Sequence, residues 1–145
     1  MILFSSDLEF ISKNKTKMIK LIINAAGEKI FLMLIIKDVT YSATHDNSKI
    51  NYEKLTILIN NFLDSENFTL KDIKKIYVNR GPGSFAGIRN SLSIVKAFNL
   101  SKKIDYYCYS AADFIGEKEF KYSNIPYLCD KFNIKKNLIN PIYIS

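Results

Sequence analysis

A glycine-rich segment between a strand pattern and a helix pattern constrains this chain most. Three of its five glycines, Gly81, Gly83 and Gly87, lie within seven residues. The apolar run Ile73–Val78 before them predicts a buried strand, and apolar residues recur after them at helical spacing. The first amide groups of a helix are unpaired and can bind an anion or a partner's carboxylate. The segment therefore predicts either a binding loop or a tight turn without a ligand.

The spacing of the glycines argues against two common nucleotide loops. A P-loop requires Lys after its last glycine, and Ile88 follows Gly87. A dinucleotide fingerprint reads GxGxxG, whereas this loop reads GxGxxxG and follows the fourth predicted strand. Ser84 can cap the following helix. The chain's two arginines, Arg80 and Arg89, flank the loop, which suggests that planar donors are needed there.

The remaining patterns predict an α/β fold. Three apolar runs separated by short turns predict an antiparallel meander, and the later strands should be parallel and reached through helices. The resulting order is βββαβαβα, with a mixed sheet. The predicted strands are 19–26, 28–37, 38–44, 73–78 and 104–109, and the predicted helices cover 49–64, the segment after the loop, and a short turn from Ser110.

Composition excludes several classes of protein. With 145 residues, 48% hydrophobic and 24% charged, the chain predicts one globular domain. The longest apolar run, Phe31–Ile36, is too short for a membrane span, and the N-terminus lacks a secretory pattern, so we expect a cytoplasmic protein without a membrane contact. Cys108, Cys129 and His45 cannot form a conventional zinc site, and we expect both cysteines to be reduced core residues.

Positive charge is concentrated around the glycine loop. The chain carries +7, and residues 71–100 contribute six basic residues and one acidic residue. Either these residues form a solvated lysine-rich face, or they face an anionic partner such as a phosphate or a nucleic acid. Lys74, Lys75 and Arg80 are the residues through which we expect such a contact.

The loop sequence resembles the signature of a known family. Gly81–Arg89 reads GPGSFAGIR and is similar to the GPGSFTGxR signature of the TsaB (YeaZ) family, within the actin-like ATPase superfamily, with Ala86 in place of Thr. Asn51–Leu55, Tyr109–Ala112 and Asn140–Ile144 also resemble family segments. The resemblance covers about residues 18–116 and part of the tail.

This resemblance implies an actin-like (ribonuclease H-like) first lobe with a reduced second lobe. We expect an N-terminal extension over 1–17, the lobe over 18–116, and a remnant of the second lobe over 117–145. Relatives carry Asp-Thr-Ser after the first strand, where this chain has Asn24, Ala25 and Ala26. Since these residues cannot replace a carboxylate near Mg²⁺, intrinsic ATP hydrolysis is not expected.

The resemblance also implies a role in tRNA modification. The family members are non-catalytic partners of TsaD, the transferase that makes N6-threonylcarbamoyladenosine in tRNAs reading A-starting codons. The implied partners are a TsaD-like catalytic subunit, a TsaE-like ATPase and, through the complex, tRNA. We expect no catalytic residue, no metal and no cofactor of its own, and the presence of ATP or ADP at the junction with the partner stays open.

Two groups of residues are the candidate contacts. The first is the partner interface on the predicted helices: Ile50, Leu55, Ile57, Ile59, Phe62, Leu92, Lys96 and Asn99. The second is the glycine loop, for a partner or a junction nucleotide: Arg80, Gly81, Pro82, Gly83, Ser84, Phe85, Gly87 and Arg89. Within the loop, Phe85 is expected to fill the core beneath the sheet. Arg89 is expected either in an intrachain ion pair or in contact with a partner or phosphate.

Two other functions remain open at this point. One is a nucleotide-dependent phosphotransferase built on the actin-like lobe, against which Asn24 argues. The other is a homodimeric structural module without an enzyme partner, because the same helices could pair with themselves.

Overall fold

The computed structural model describes residues 18–143, so the predicted extension over 1–17 lies outside the described residues. Within them, one mixed sheet has the strand order β3-β2-β1-β4-β5. The strands are β1 Ile19–Asn24, β2 Lys29–Ile36, β3 Val39–Asp46, β4 Ile73–Asn79 and β5 Asp105–Tyr109. Strands β1, β2 and β3 pair antiparallel, whereas β4 lies parallel to both β1 and β5. The predicted meander and parallel strands are confirmed.

Three helices cover one face of this sheet: α1 Lys49–Glu53, α2 Leu55–Ser65 and α3 Phe85–Lys102. The predicted single helix over 49–64 is thus two helices, divided at Lys54. Hydrogen bonds continue across the division, from the Lys54 amide to the Ile50 carbonyl and from the Leu58 amide to the Lys54 carbonyl. The pair is therefore a bent helical segment, and Ser48 caps its start as its residue type predicts.

The helices on this face are held by a large apolar core. Alternate residues of β1, β2 and β4 point toward the helices, as the period-two pattern of a strand requires. Helix α2 contributes Leu55, Ile59, Phe62 and Leu63, and α3 contributes Ile88, Leu92, Val95 and Phe98. The spacing of three and four residues on each helix produces one buried stripe.

The opposite face is covered by residues after β5. A 3₁₀ turn at Ala111–Asp113, another at Tyr122–Asn124 and the short helix α4 Ile125–Lys131 lie there. Ile125, Leu128 and Cys129 pack with Tyr77 and other apolar residues of that face. Much of the segment after residue 116 is therefore packed on the same sheet as the helices of the opposite face. Its origin as a remnant of a second lobe stays a prediction.

The segment around Asn137 also covers the edge of the sheet that β5 forms. The Asn137 side chain accepts a hydrogen bond from the Tyr106 amide, and the Asn137 amide donates to the Tyr106 carbonyl. Strand β3 forms the opposite edge, and most of its residues are exposed. None of the described helices is both long and apolar enough for a bilayer span.

Candidate functional site

The glycine loop packs directly against the turn after β1. A side chain at Gly83 would overlap the Ala26 carbonyl oxygen, and one at Gly87 would overlap the Ala25 carbonyl oxygen. The Ser84 amide donates to the Ala26 carbonyl at 3.0 Å. Both glycines are therefore required for close approach between two backbone segments, and this contact fills the space in front of the loop.

Several amides around the start of α3 are bound within the chain. Ser84 caps the helix, as predicted, by accepting a hydrogen bond from the Gly87 amide. Gly81 has a φ of 106°, a conformation that favours glycine, and its amide donates to Asn79 Oδ1 at 2.8 Å. These contacts support the reading of the loop as a tight turn. They leave the amides of Gly81, Ser84 and Gly87 without free capacity for an anion.

Arg80 is a structural residue. Its guanidinium forms two hydrogen bonds with the Asp113 carboxylate, at 2.6 and 3.2 Å, and a third with the Asn140 carbonyl at 3.0 Å. Its carbonyl also accepts from the Ile142 amide at 2.8 Å. Arg80 thus joins the loop to the turn after β5 and to the tail, and three of its five N–H donors are used within the chain. Its contact with phosphate or tRNA stays a prediction.

The expectation that Phe85 fills the core is wrong. Phe85 is the first residue of α3, and it is 56% exposed. Its ring centroid is 4.7 Å from that of Tyr143, and the Arg89 guanidinium lies 5.5 Å from the Phe85 ring. Among the described residues Arg89 forms no salt bridge, so the first of its two expected roles, the intrachain ion pair, is not seen there. Its contact with a partner or phosphate stays a prediction.

The outer surface of the helix layer contains an open groove of about 300 Å³ between the bent segment and α3. It is lined by Tyr52, Glu53, Thr56, Arg89, Asn90, Ser93 and Ile94. Two large apolar side chains on the bent segment face solvent, since Ile50 is 61% exposed and Ile57 is 56% exposed. They cover no part of this chain's core, which makes this surface a candidate for contact with another protein.

Several predicted interface residues are not available there. Leu55, Ile59, Phe62 and Leu92 lie in the core, each no more than 6% exposed. Their assignment to a partner interface is corrected because the sheet already buries them. The Asn99 side chain donates to the Ile104 carbonyl and closes the end of α3, which leaves Ile50, Ile57 and Lys96 as the exposed members of the predicted set.

A second opening lies at the carboxyl ends of the parallel strands, and sequence reasoning missed it. Asn24, Asn79 and Tyr109 are the last residues of β1, β4 and β5. With Ala111, Phe120 and Tyr122 they line a pocket of about 290 Å³, which we call the strand-end pocket. The signal available was that parallel strands end at a common edge, where α/β folds bind ligands.

The predicted roles of the cysteines and lysines can be placed in the same way. Cys108 and Cys129 are buried free thiols, and burial raises the pKa of each to about 12, as expected for core residues.

In the basic segment, Lys74 is exposed, and the Lys75 ammonium lies 5.7 Å from the Tyr107 ring. Lys74 is thus the exposed cation of the predicted set of three.

Comparison with solved structures identifies the class of protein. YeaZ from Pseudomonas aeruginosa superposes with a TM-score of 0.61 at 18% sequence identity, over 70% of this chain and 47% of that chain. A second structure, of an uncharacterized protein with similarity to peptidase YEAZ from the same organism, gives the same values. The chain therefore shares the fold of about half of YeaZ, and together with the family match described next this fold is an actin-like (ribonuclease H-like) first lobe.

Sequence comparison identifies the family. Residues 35–129 match the family model described as "TsaD: tRNA N6-adenosine threonylcarbamoyltransferase". The chain is 32% identical, over 85 residues, to the tRNA threonylcarbamoyladenosine biosynthesis protein TsaB of Buchnera aphidicola subsp. Schizaphis graminum. The chain belongs to the family of this model, and its similarity to TsaB and YeaZ confirms the resemblance that the loop signature predicts. That alignment includes 59% of this chain and 40% of the relative, so this chain spans less than half of it.

Proposed function

We propose that this protein is a non-catalytic partner of a TsaD-like transferase in the synthesis of N6-threonylcarbamoyladenosine on tRNA. The observation that carries the proposal is the unpartnered apolar surface on the helix layer, at Ile50 and Ile57. Family membership supports it, as does the name of the curated relative as a tRNA threonylcarbamoyladenosine biosynthesis protein. In this proposal the chain supplies helix surface, and the transferase supplies the chemistry.

The local chemistry supports a binding role for the helix layer. The groove between the helices offers polar groups from Glu53, Arg89 and Asn90, and Ile57 on the bent segment adds an exposed apolar side chain. An apolar centre with a polar rim is typical of a protein interface. A stable interface buries about 1,600 Å² in total, so the proposed contact would extend beyond Ile50 and Ile57 over the outer surfaces of α1–α3.

The first experiment is co-purification with the tagged TsaD-like subunit of the same organism. Ile57→Glu places a charge in the proposed interface and should weaken binding at least about tenfold. Ile115→Glu is the matched control, because Ile115 is 81% exposed and follows the 3₁₀ turn on the opposite face. Equal loss in both variants, or wild-type binding of Ile57→Glu, would contradict the proposed surface.

The alternatives have their own readouts. Light scattering of the isolated protein detects a homodimer, and Ile57→Glu should leave that size unchanged if the surface serves the transferase. An ATP titration tests the phosphotransferase, against which Asn24 and the filled loop argue. Deleting the gene and assaying the modified base in tRNA tests the pathway: unchanged modification would overturn the proposal whatever the binding result.

Contact with tRNA is a further part of the proposal and is supported by the positive charge of residues 71–100. Lys74→Glu combined with Lys75→Glu should lower the affinity of the complex for tRNA and reduce its salt dependence. Lys29→Glu serves as a control outside this segment. If the salt dependence of tRNA binding did not change, these lysines would be a solvated surface without a tRNA contact.

A further inference from the structure

The strand-end pocket carries an inference that is independent of the helix surface. It lies at the carboxyl edge of the sheet, where β1, β4 and β5 each end with a polar lining residue. From the end of β1 the chain continues to β2 on one side, and from the end of β4 it continues to β5 on the other side. Ligands of open α/β sheets bind outside the strand ends at such a change of direction.

The backbone fixes how the two amide side chains are oriented. Asn24 Oδ1 accepts from the Ala26 amide at 3.1 Å, and Asn79 Oδ1 accepts from the Gly81 amide at 2.8 Å. Their nitrogens must therefore donate: Asn79 Nδ2 to Asn24 Oδ1 at 3.2 Å, and Asn24 Nδ2 to the Tyr122 hydroxyl at 2.7 Å. Each amide nitrogen carries two hydrogens, so one hydrogen on each stays uncommitted within the described residues.

Two tyrosine hydroxyls add further hydrogen-bond donors to the pocket. The Tyr122 hydroxyl accepts from Asn24, which leaves its own hydrogen free to donate. The Tyr109 hydroxyl is buried and has no hydrogen-bond partner among residues 18–143. Burial raises the pKa of Tyr109 well above its ordinary value, so this hydroxyl stays protonated and acts as a donor. A buried hydroxyl without a partner is costly and points to a missing ligand group.

We propose that the strand-end pocket binds the carboxylate of a small molecule, through the side chains of Asn24, Asn79, Tyr109 and Tyr122. A carboxylate accepts hydrogen bonds only, and the uncommitted hydrogens of the two amide nitrogens and the two tyrosine hydroxyls are available to it. The six lining residues carry no formal charge, and Arg80 nearby is neutralised by Asp113. This favours a monoanion over a phosphate dianion, which is usually held by Arg or Lys.

The experiment uses benzoate as the probe, because Phe120 and Tyr122 offer aromatic rings at the pocket. In ¹⁵N-labelled protein, benzoate at millimolar concentration should shift the side-chain amide resonances of Asn24 and Asn79 saturably. Neutral benzamide, of the same shape, should bind at least about tenfold more weakly, since hydrogen bonds to a charged acceptor are the stronger ones. Inorganic phosphate in a separate titration distinguishes a general anion site, and phosphate binding as tight as benzoate would overturn the proposal.

Variants locate the site. Tyr109→Phe removes only the hydroxyl and should weaken benzoate about fivefold or more. Ala111→Asp adds a charge at an exposed lining position and should abolish binding, whereas Ala112→Asp, the exposed neighbour outside the lining, should not. Wild-type affinity in Ala111→Asp, or no saturable shift with any carboxylate, would overturn the inference. Because Ala111 and Ala112 are exposed, this pair remains informative even if Tyr109→Phe misfolds.

Discussion

Two regions at the same edge of the sheet, the glycine loop and the strand-end pocket, differ in what fills them. The loop has the appearance of a binding motif, yet Gly83 and Gly87 bring it into contact with the backbone of Ala25 and Ala26. The pocket has no sequence motif, yet it keeps an opening lined by Asn24 and Tyr109. Glycine permits close approach to any group, and here that group is the chain itself.

This difference predicts that the loop tolerates added volume worst. Gly87→Ala would place a methyl group against the Ala25 carbonyl and should lower the free energy of unfolding by about 3 kcal/mol. Gly27→Ala is the control, because its nearest atom would be the Lys29 carbonyl oxygen at 3.9 Å, and it should change stability by less than about 0.5 kcal/mol. Urea unfolding measures both. A Gly87→Ala protein as stable as the wild type would mean that the loop is open.

The ion pair that fixes the loop should give the next largest effect. Arg80→Ala leaves the half-buried Asp113 carboxylate without its partner and should cost about 2 kcal/mol of unfolding free energy. The free energy of unfolding of Arg80→Lys should lie between those of the wild type and Arg80→Ala, because an ammonium cannot form the paired contact. Lys29→Ala, which removes the exposed pair with Asp46, should cost less than about 1 kcal/mol. Equal losses from the two alanine variants would show that Arg80 does not hold the loop.

Removing a hydroxyl group from the strand-end pocket should change the free energy of unfolding least, and for Tyr109 the change should be an increase. Without added ligand, Tyr109→Phe removes an unpartnered buried hydroxyl and should raise the free energy of unfolding by about 1 kcal/mol. Tyr122→Phe removes a hydroxyl that accepts from Asn24 and should lower it by a similar amount, about 1 kcal/mol. Thermal melts in the same buffer compare the two. Destabilisation in Tyr109→Phe would mean that its hydroxyl is already satisfied.

The sequence predicted secondary structure better than it predicted side-chain roles. Apolar alternation gave the strands, and the strand-loop-helix order around Gly81–Arg89 was correct. The roles of Arg80 and Phe85 could not be read from their neighbours in the chain. Asp113 lies 33 residues beyond Arg80, and the exposure of Phe85 depends on how α3 packs against the sheet.

The helix residues show the same limit. Three aliphatic side chains of similar size lie close together in the chain, at Leu55, Ile57 and Ile59. Ile57 is exposed, whereas the other two are buried. Helical periodicity marks a stripe, but a helix segment with apolar residues around much of its circumference does not say which stripe faces the sheet. The bend at Lys54 and the packing against α3 decide this.

The sequence by itself determined the α/β order of elements, the capped helix after the glycine loop and the family, because these depend on local periodicity and on a contiguous signature. Only the tertiary structure decided that the loop is closed by Ala25 and Ala26, and that Asn24, Asn79 and Tyr109 meet at one pocket. The physical reason is that parallel pairing brings together strand ends 30 to 85 residues apart in the chain, and no local pattern encodes that proximity.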